Sequence, residues 1–272
     1  MQQESESRKV FFDGARHPLP PRGVIPSSHL LRRALIIFQL TLVVPGCAPA
    51  RNTLPVAGST NSGAITLTDE QRAAGWRALF DGTSTSAWRG YREQSLPAGW
   101  LIVDGVLTKT SPAGDIITKD QFGNFELALD WKLSPGGNAG VFYRGTEEYD
   151  HIYWSAPEYQ LLDDAGHPDG KSRLTSAGSA FALYPAPAGV VQPAGQWNST
   201  LIIVNGNDVQ HWMNGQKLLE YRLGSNDWEA RVRASKFNAF PNYGRAPRGY
   251  IGIQGDHDAT LWIRNVRIRE IR

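Results

Sequence analysis

The segment PEYQLLDD, residues 157–164, places polar side chains on a strand that otherwise carries apolar ones. Side chains alternate between the two faces of a strand, so Glu158 and Gln160 share one face while Tyr159 and Leu161 share the other. A carboxylate beside an amide suits proton transfer and hydrogen bonding with a ligand. We therefore predict Glu158 as a catalytic residue and Gln160 as a substrate-binding residue. The alternative is a strand face that is simply exposed to solvent.

Histidines occur at two further places that suit a site. His257 in GDHDA directly follows the strand segment YIGIQ, and we predict it as a second catalytic group with Asp256 beside it as a substrate-binding residue. His151 lies in EEYDHIYW, where aromatic rings can stack on a ligand, and Trp154 is the stacking residue we favour. The other histidines after residue 47 are predicted to be an ordinary strand residue and a solvated turn residue, namely His211 and His167.

Two cationic side chains can serve the same site. Arg144 ends the segment AGVFYR. If that strand neighbours PEYQLL, the guanidinium pairs with Glu158, keeps the carboxylate ionised and stabilises negative charge on a substrate, so Arg144 is predicted as catalytic. Lys132, on the polar face of ELALDWKL, is a further substrate-binding candidate.

Asp163 is also predicted as a substrate-binding residue. The alternative is that Asp163 is a turn residue whose carboxylate accepts a backbone N–H.

Several classes of function are excluded by missing motifs. The chain has no G-x-G-x-x-G, no Walker A sequence, no G-x-S-x-G and a single cysteine. Nucleotide-binding loops, an α/β-hydrolase serine and a cysteine-rich zinc site are therefore not expected. DDAGHPDG lacks the glutamate of an EF-hand, because Leu174 occupies the twelfth position from Asp163. We predict no cofactor and no metal site, and leave a looser site for Ca²⁺ or another divalent ion open.

The elements that must position these residues are mostly strands. The chain of 272 residues is 41% hydrophobic and contains 28 Gly and 17 Pro, which is typical of a β-rich domain with many turns. Hairpin signals occur at Asp104-Gly105, Asn205-Gly206 and Asn214-Gly215. A short helix is predicted to begin at Thr68, where Gln71 completes a capping box. The pattern predicts an all-β sandwich of two antiparallel sheets with one short N-terminal helix.

Several segments in a fixed order resemble one known family. They are WRALFDGTSTSAW, GVLTKT, NFELALDWKL, NAGVFYRG, PEYQLLDD, AGSAFALYPAP, PAGQWNSTLIIVNGNDVQHWMNG and GYIGIQGDHDATLWIRNVRIREI. This set, over residues 76–271, resembles the 3-keto-disaccharide hydrolase domain family. Two positions depart from the family: Ala139 stands where Ser is frequent, and Ala259 where Gly is common near the histidine of GDHDA. The resemblance implies a concanavalin-like jelly roll that binds sugars in the groove of one sheet.

The resemblance also implies an activity, which is that of an exported hydrolase or lyase acting on 3-keto-glycosides. A ketone at C3 of a sugar acidifies the C2 proton, so a base can remove it, the C1 glycosidic oxygen can leave and water can then add. Glu158 or His257 would act as base or acid, and Arg144 would stabilise negative charge. One alternative is a noncatalytic carbohydrate-binding module with the same groove. Another is a surface interaction domain without a sugar site.

Residues 1–46 have the pattern of an export signal. RRALIIFQLTLVV joins two arginines to an apolar run that is too short to span a bilayer, and VPGC then presents Cys47 as in a bacterial lipoprotein signal. We predict a signal segment over 1–46, a flexible tether over 47–66 that is lipid-anchored to the membrane at Cys47, and a sugar-active domain over 67–272. An ordinary signal peptide with an incidental cysteine is the alternative.

The predicted location is periplasmic or cell-surface, with sorting to the outer membrane. The segment before the arginines is long for a signal, so we hypothesise that translation begins near Val24. The formal net charge of +2 arises from the basic excess of residues 1–46. The nearly neutral remainder predicts no nucleic-acid partner.

Overall fold

The structure is a computed structural model that describes residues 66–272. Cys47, the predicted signal segment 1–46 and all but the last residue of the predicted tether 47–66 lie outside the described residues. Those parts of the domain organisation therefore stay predictions. From residue 66 onward, no helix combines the length and the apolar character needed to cross a membrane.

Strands make up most of the described chain, and they are numbered here in chain order. They are β1 (Trp76–Phe80), β2 (Trp88–Gly90), β3 (Trp100–Val103), β4 (Val106–Lys109), β5 (Ile116–Thr118), β6 (Phe125–Leu133), β7 (Asn138–Gly145), β8 (Glu158–Leu162), β9 (Asn198–Asn205), β10 (Asp208–Met213), β11 (Gln216–Arg222), β12 (Tyr250–Ile253) and β13 (Leu261–Glu270).

The strands form two antiparallel sheets. The larger sheet has eight strands in the order β11-β10-β9-β6-β13-β4-β3, with β1 paired to β13 outside this path. The smaller sheet has five strands in the order β2-β5-β12-β7-β8. Sheet neighbours such as β12 and β7 are far apart in sequence, as expected of a jelly roll. The predicted two-sheet sandwich is confirmed.

The core lies between the sheets and follows the alternation read from the sequence. On β6 every second side chain is buried to 2% exposure or less: Phe125, Leu127, Leu129, Trp131 and Leu133. The indole N–H of Trp131 donates to the hydroxyl of Thr200 on β9 at 2.9 Å, so the one polar atom of this row is paired. Burial of this apolar face is the main force that holds the two sheets together.

Tight turns set the register of the hairpins. Asp104 and Gly105 both adopt positive φ, 51° and 75°, which suits the two-residue turn between β3 and β4. The Asn214-Gly215 turn between β10 and β11 has the same character, with φ of 50° and 80°. The third turn, between β9 and β10, spans residues 206–207. It therefore begins one residue later than the predicted pair Asn205-Gly206.

Two α-helices occur in the described chain. The first, α1 (Asp69–Ala73), has the predicted capping box, because the Thr68 hydroxyl accepts from the Gln71 N–H and the Gln71 side chain accepts from the Thr68 N–H. The second, α2 (Asn226–Arg233), was not predicted. It is capped by Ser225 and buries Trp228 against the core. Short 3-10 turns at Ile152–Trp154, Pro168–Lys171 and Lys236–Ala239 complete the helical elements.

Candidate active site

The two faces of the smaller sheet differ, and β7 and β8 show how. Tyr143 and Tyr159 point between the sheets, where both rings contact the fully buried His211 of β10. The residues that alternate with them face outward, so Glu158 and Gln160 project from the outer face of the smaller sheet. Both are nevertheless buried, with 7% and 0% exposure, which means that other parts of the chain cover this face.

One part of the outer face is filled by an apolar patch formed by Ile117, Phe142, Ile152 and Ala156. Ile152 begins the 3-10 turn Ile152–Trp154 and lies over Gly252 of β12, where a Cβ would come within 2.6 Å of its side chain. The glycine thus lets the turn approach the sheet closely. The apolar patch forms a wall beside the part of the face that remains.

Next to the apolar patch, four neighbouring positions form a polar row: Asp115 just before β5, Gln254 just after β12, Gly140 on β7 and Gln160 on β8. The Gln254 N–H donates to the Gly140 carbonyl at 3.0 Å, and Gly140 is paired with Gln160 across β7 and β8. Gln160 and Gln254 each bury a side-chain oxygen that accepts no hydrogen bond from any described residue. Unpaired buried acceptors beside a glycine fit the hydroxyl donors of a ligand.

The Glu158 carboxyl group joins this polar row from the end of β8. Its side chain lies over Gly140, where an added Cβ would overlap with the carboxyl group. Within residues 66–272 none of the hydrogen bonds involves its carboxyl oxygens. Burial raises the pKa of Glu158 to about 8; the charge of Lys236 opposes this effect, and nearby carboxylates such as Asp115 and Asp256 add to it.

Asp115 is a second buried carboxyl group, and the sequence analysis did not identify it. It precedes β5 and is 8% exposed. One carboxyl oxygen accepts the Gly255 N–H at 2.8 Å. Burial raises its pKa to about 7, while the Gly255 hydrogen bond and the charge of Lys109 lower it and Asp256 raises it. Two carboxyl groups that hold protons near neutral pH therefore lie on one face.

Lys109, another residue that was not predicted, forms a hydrogen bond with the loop that carries His257. Lys109 ends β4, is 1% exposed and donates from Nζ to the His257 carbonyl at 2.5 Å. Burial lowers its pKa, which the carboxylates of Asp256, Asp258 and Asp115 counteract. The His257 imidazole is 41% exposed and lies 3.8 Å from the Asp256 carboxylate. Its main-chain carbonyl, rather than its imidazole, thus makes the buried contact.

Predicted stacking residues lie along the wall of the site. His151 stacks on Tyr153 with 4.8 Å between ring centroids and 12° between planes. Trp154 stacks in the same way on Phe240, at 4.1 Å and 12°. One face of the Trp154 indole is therefore already covered by a protein ring, which leaves less of it for a sugar.

The predicted pair of Arg144 with Glu158 is wrong. Arg144 has a positive φ of 54°, and its guanidinium donates to the Gly123 carbonyl at 3.0 Å and to the Gly206 carbonyl at 2.6 Å. The side chain therefore ties β7 to two loops of the sandwich instead of facing the polar row. The sequence could not show this, because the left-handed backbone breaks the alternation at the end of the strand.

Two more predicted residues lie elsewhere. Lys132 projects from the outer face of the larger sheet, where its ammonium lies 4.5 Å from the Trp262 ring, so it is on the opposite side of the sandwich from Glu158. Asp163, directly after β8, accepts the Gly136 N–H at 2.8 Å and thereby ties the turn between β6 and β7 to the end of β8. This corresponds to the alternative of a turn residue that accepts a backbone N–H.

Among the described residues, no group of three or more His, Cys, Asp and Glu side chains could hold a metal ion. The polar row and Glu158 together present carboxyl and amide groups on the outer face. Glu158 and Asp115 can exchange protons near neutral pH, and the two glutamine oxygens can accept from hydroxyls. This arrangement suits proton transfer on a polyhydroxylated ligand.

Comparisons with known proteins identify relatives of this chain that act on carbohydrates. The profile of the 3-keto-alpha-glucoside-1,2-lyase-like domain matches residues 75–269. A 3-keto-disaccharide hydrolase of Bacteroides thetaiotaomicron is 35% identical over 229 residues, which cover 72% of this chain and 79% of that protein.

Solved structures resemble the same part of the chain. A candidate glycosyl hydrolase from Parabacteroides distasonis has a TM-score of 0.72 and 32% identity, and covers 76% of this chain and 99% of its own. A second candidate glycosyl hydrolase from that organism has a TM-score of 0.58 and 27% identity, and covers 72% and 99% respectively. The likeness to both extends over most of the described sandwich.

Proposed function

We propose that this chain, which belongs to the 3-keto-alpha-glucoside-1,2-lyase-like domain family, hydrolyses 3-keto-glycosides. Family membership and the 35% identical 3-keto-disaccharide hydrolase indicate a carbohydrate-acting hydrolase. The observation that carries the finer proposal is the pair of buried carboxyl groups, Glu158 and Asp115, beside the unpaired oxygens of Gln160 and Gln254. Ordinary glycosidases also use two carboxyl groups, so the pair alone does not identify the reaction. The elimination route requires a ketone on the substrate, and the substrate is therefore what the experiment must test.

The proposed reaction proceeds by elimination and addition. The ketone at C3 makes the C2 proton acidic, and a carboxylate removes it. The resulting enolate expels the glycosidic oxygen from C1, which takes a proton from an acid, and a C1–C2 double bond forms. Water then adds its oxygen to C1 and returns a proton to C2, so the net reaction is hydrolysis.

The different pKa values of Asp115 and Glu158 suggest which carboxyl group acts as the base and which as the acid. At neutral pH the site needs one ionised and one protonated carboxyl group, and the pair can supply this state, since Asp115 has a pKa of about 7 and Glu158 of about 8. We assign the base that removes the C2 proton to Asp115 and the acid that protonates the leaving oxygen to Glu158. The unpaired glutamine oxygens would accept hydroxyl groups of the sugar and orient the ring.

Two substrates with different leaving groups test this assignment. A 3-keto-disaccharide needs an acid for its departing alcohol, whereas a 4-nitrophenyl 3-keto-glucoside releases a stable phenolate. Glu158→Gln is expected to reduce kcat on the disaccharide about 10²–10⁴-fold and to affect the aryl substrate far less. Asp115→Asn is expected to reduce turnover of both substrates, because both require loss of the C2 proton.

Unmodified disaccharides serve as the matched control for the substrate class. The wild-type chain is expected to leave them intact, because they lack the acidified C2 proton. A protein that binds an unmodified sugar and releases nothing from either class would be a binding module instead. Full activity of Glu158→Gln on the 3-keto-disaccharide would remove that residue from the mechanism. An assay with a chelator tests the divalent ion that the sequence leaves open.

Export and lipid anchoring remain part of the proposal. Residues 32–47 have the pattern of a lipoprotein signal, with Cys47 at the position of lipidation. Cys47→Ser is expected to move the protein from the membrane fraction to the soluble fraction. Unchanged membrane association would argue against lipidation at Cys47.

A further inference from the structure

We propose that Lys236 is a further catalytic residue, whose ammonium group contacts the C3 oxygen of a 3-keto-glycoside and stabilises the enolate. This inference rests on the proposed function and deepens it. Lys236 opens the 3-10 turn Lys236–Ala239, which follows α2, and no sequence pattern points to it. It supplies the cation that the sequence placed at Arg144.

The Lys236 ammonium lies among four aromatic rings. Its distance to the ring centroids is 4.7 Å for Phe181, 5.4 Å for Phe237, 5.7 Å for Trp154 and 6.0 Å for Tyr153. Aromatic faces attract a cation but leave its three N–H donors free for other acceptors. In the part of the chain that the structure describes, this ammonium forms no ion pair and no hydrogen bond. The group is therefore held in place and still able to donate.

The turn that carries this lysine is fixed to the wall of the site. Phe237 stacks on Tyr243 with 4.0 Å between centroids, and Tyr243 stacks in turn on the buried Trp228 at 5.8 Å. The Gly244 N–H donates to the Ser155 carbonyl at 2.8 Å, directly after the 3-10 turn Ile152–Trp154. These contacts join the two segments, and they position the ammonium without a charged partner.

The Lys236 ammonium lies close to the strand that carries the proposed acid, because Phe181, whose ring centroid is 4.7 Å from the ammonium, donates its backbone N–H to the Glu158 carbonyl at 3.1 Å. Among the charges near Glu158, that of Lys236 has the largest effect, and it lowers the pKa of the carboxyl group against the effect of burial. The Tyr153 ring packs against the apolar patch, and the Trp154 ring contacts Tyr153 at 4.7 Å between centroids. A sugar placed beside the Glu158 carboxyl group would therefore meet carboxyl groups from the sheet and a cation from the covering segment.

The chemistry gives this cation a specific task. Loss of the C2 proton moves its bonding pair into a C2–C3 double bond and moves the carbonyl pair onto the C3 oxygen, which becomes negative. The return of that pair expels the C1 oxygen. A positioned cation stabilises such an oxyanion without the reorganisation that solvent would need.

Three lysine variants test the role: Lys236→Met, Lys236→Arg and, as the matched control, Lys217→Met. Lys217 is exposed on the edge strand β11, where it pairs with Glu220 at 2.6 Å. Lys236→Met is expected to lower kcat/KM for a 3-keto-glucoside about 10²–10³-fold. Lys236→Arg keeps the charge and is expected to stay within about tenfold of wild type, and Lys217→Met is expected to match wild type.

The pH profile adds a readout that a purely structural lysine would not move. Four charged groups act on Glu158, namely Lys236, Asp115, Asp256 and Asp169. Removing only the cation raises the pKa of Glu158 further, so the alkaline limb of kcat/KM is expected to move to higher pH in Lys236→Met.

The outcomes separate the two proposals. Wild-type turnover together with an unaffected Lys236→Met variant would overturn the role of the lysine and leave the proposed function standing. Equal losses in Lys236→Met and Lys236→Arg without a shifted limb would indicate a packing role and also overturn it. No wild-type turnover of any 3-keto-glycoside would overturn both.

Discussion

The carboxyl group of Glu158 lies over Gly140 of the neighbouring strand, in the space that any Cβ at that position would occupy. The two residues are two positions out of direct register and share a face of the sheet, since Glu158 pairs with Phe142 and Gly140 pairs with Gln160. The missing side chain thus lets the carboxyl group leave its own row and join the polar row. The acid is placed as much by the glycine as by its own strand.

Gly140→Ala is therefore expected to displace the Glu158 side chain and to reduce kcat at least tenfold while the sandwich stays folded. Gly140 lies within a regular strand and does not have positive φ, so the backbone accepts alanine. Steady-state kinetics with a 3-keto-disaccharide measure the effect. In the background of Glu158→Gln the same substitution should cost little more, and an additive loss would show that the glycine acts on something else.

The pH dependence of turnover should report the coupled carboxyl pair. The active state has one proton on the pair, so activity is expected to decline as pH falls below about 7, where Asp115 becomes protonated. It is also expected to decline above about 8, where Glu158 ionises. The limbs belong to the pair rather than to single residues. Constant activity from about pH 8 to about pH 10 would contradict the assignment of Glu158 as the acid.

The free energy of unfolding should fall as pH rises, because burial raises the pKa of the Glu158 carboxyl group in the folded state. The folded state holds the Glu158 proton up to about pH 8, whereas the unfolded chain releases it near pH 4.5, so the free energy of unfolding falls as pH rises through this window. Glu158→Gln removes the effect. The variant is expected to resist urea better than wild type at about pH 9 and to match it at about pH 4. The reverse order would contradict the burial argument.

Arg144→Met tests the corrected role of the guanidinium. Loss of its donors leaves the Gly123 and Gly206 carbonyls without that partner, which is expected to cost about 1–3 kcal/mol in the free energy of unfolding. Denaturant unfolding measures this cost. The alkaline limb of the rate profile is expected to stay in place, because the arginine does not pair with Glu158. A shifted limb would restore the pair that the sequence suggested.

The fold could be predicted because its signals are local. Alternation on β6 and two-residue turns such as Asp104-Gly105 fix strand faces and hairpin registers within a few residues. The helix α2 was not predicted because its apolar face consists of little more than Trp228 and Val232. Its burial depends on a tertiary stack of aromatic rings that no short window reveals.

The site could be predicted only where one strand carries it. Glu158 and Gln160 share a face of β8, and alternation alone brought them together. Asp115 was missed because β5 has three residues and shows no pattern of its own. Arg144 was misplaced because its contacts run to loops distant in sequence. Lys109 did leave a signal, since it shares its strand face with the fully buried Leu107.

That buried lysine leads to a last prediction. The Lys109 ammonium holds the His257 carbonyl and lowers the pKa of Asp115, so it acts on the proposed base through both position and charge. Lys109→Met keeps the buried apolar stem but removes the charge. The acidic limb of kcat/KM is then expected to move to higher pH, so that activity falls more at about pH 6 than at about pH 8. Lys217→Met, a change of the same kind on the exposed edge of the larger sheet, should leave the limb in place. A uniform loss across pH in Lys109→Met would mean that the lysine only braces the loop and does not set the proton affinity of the base.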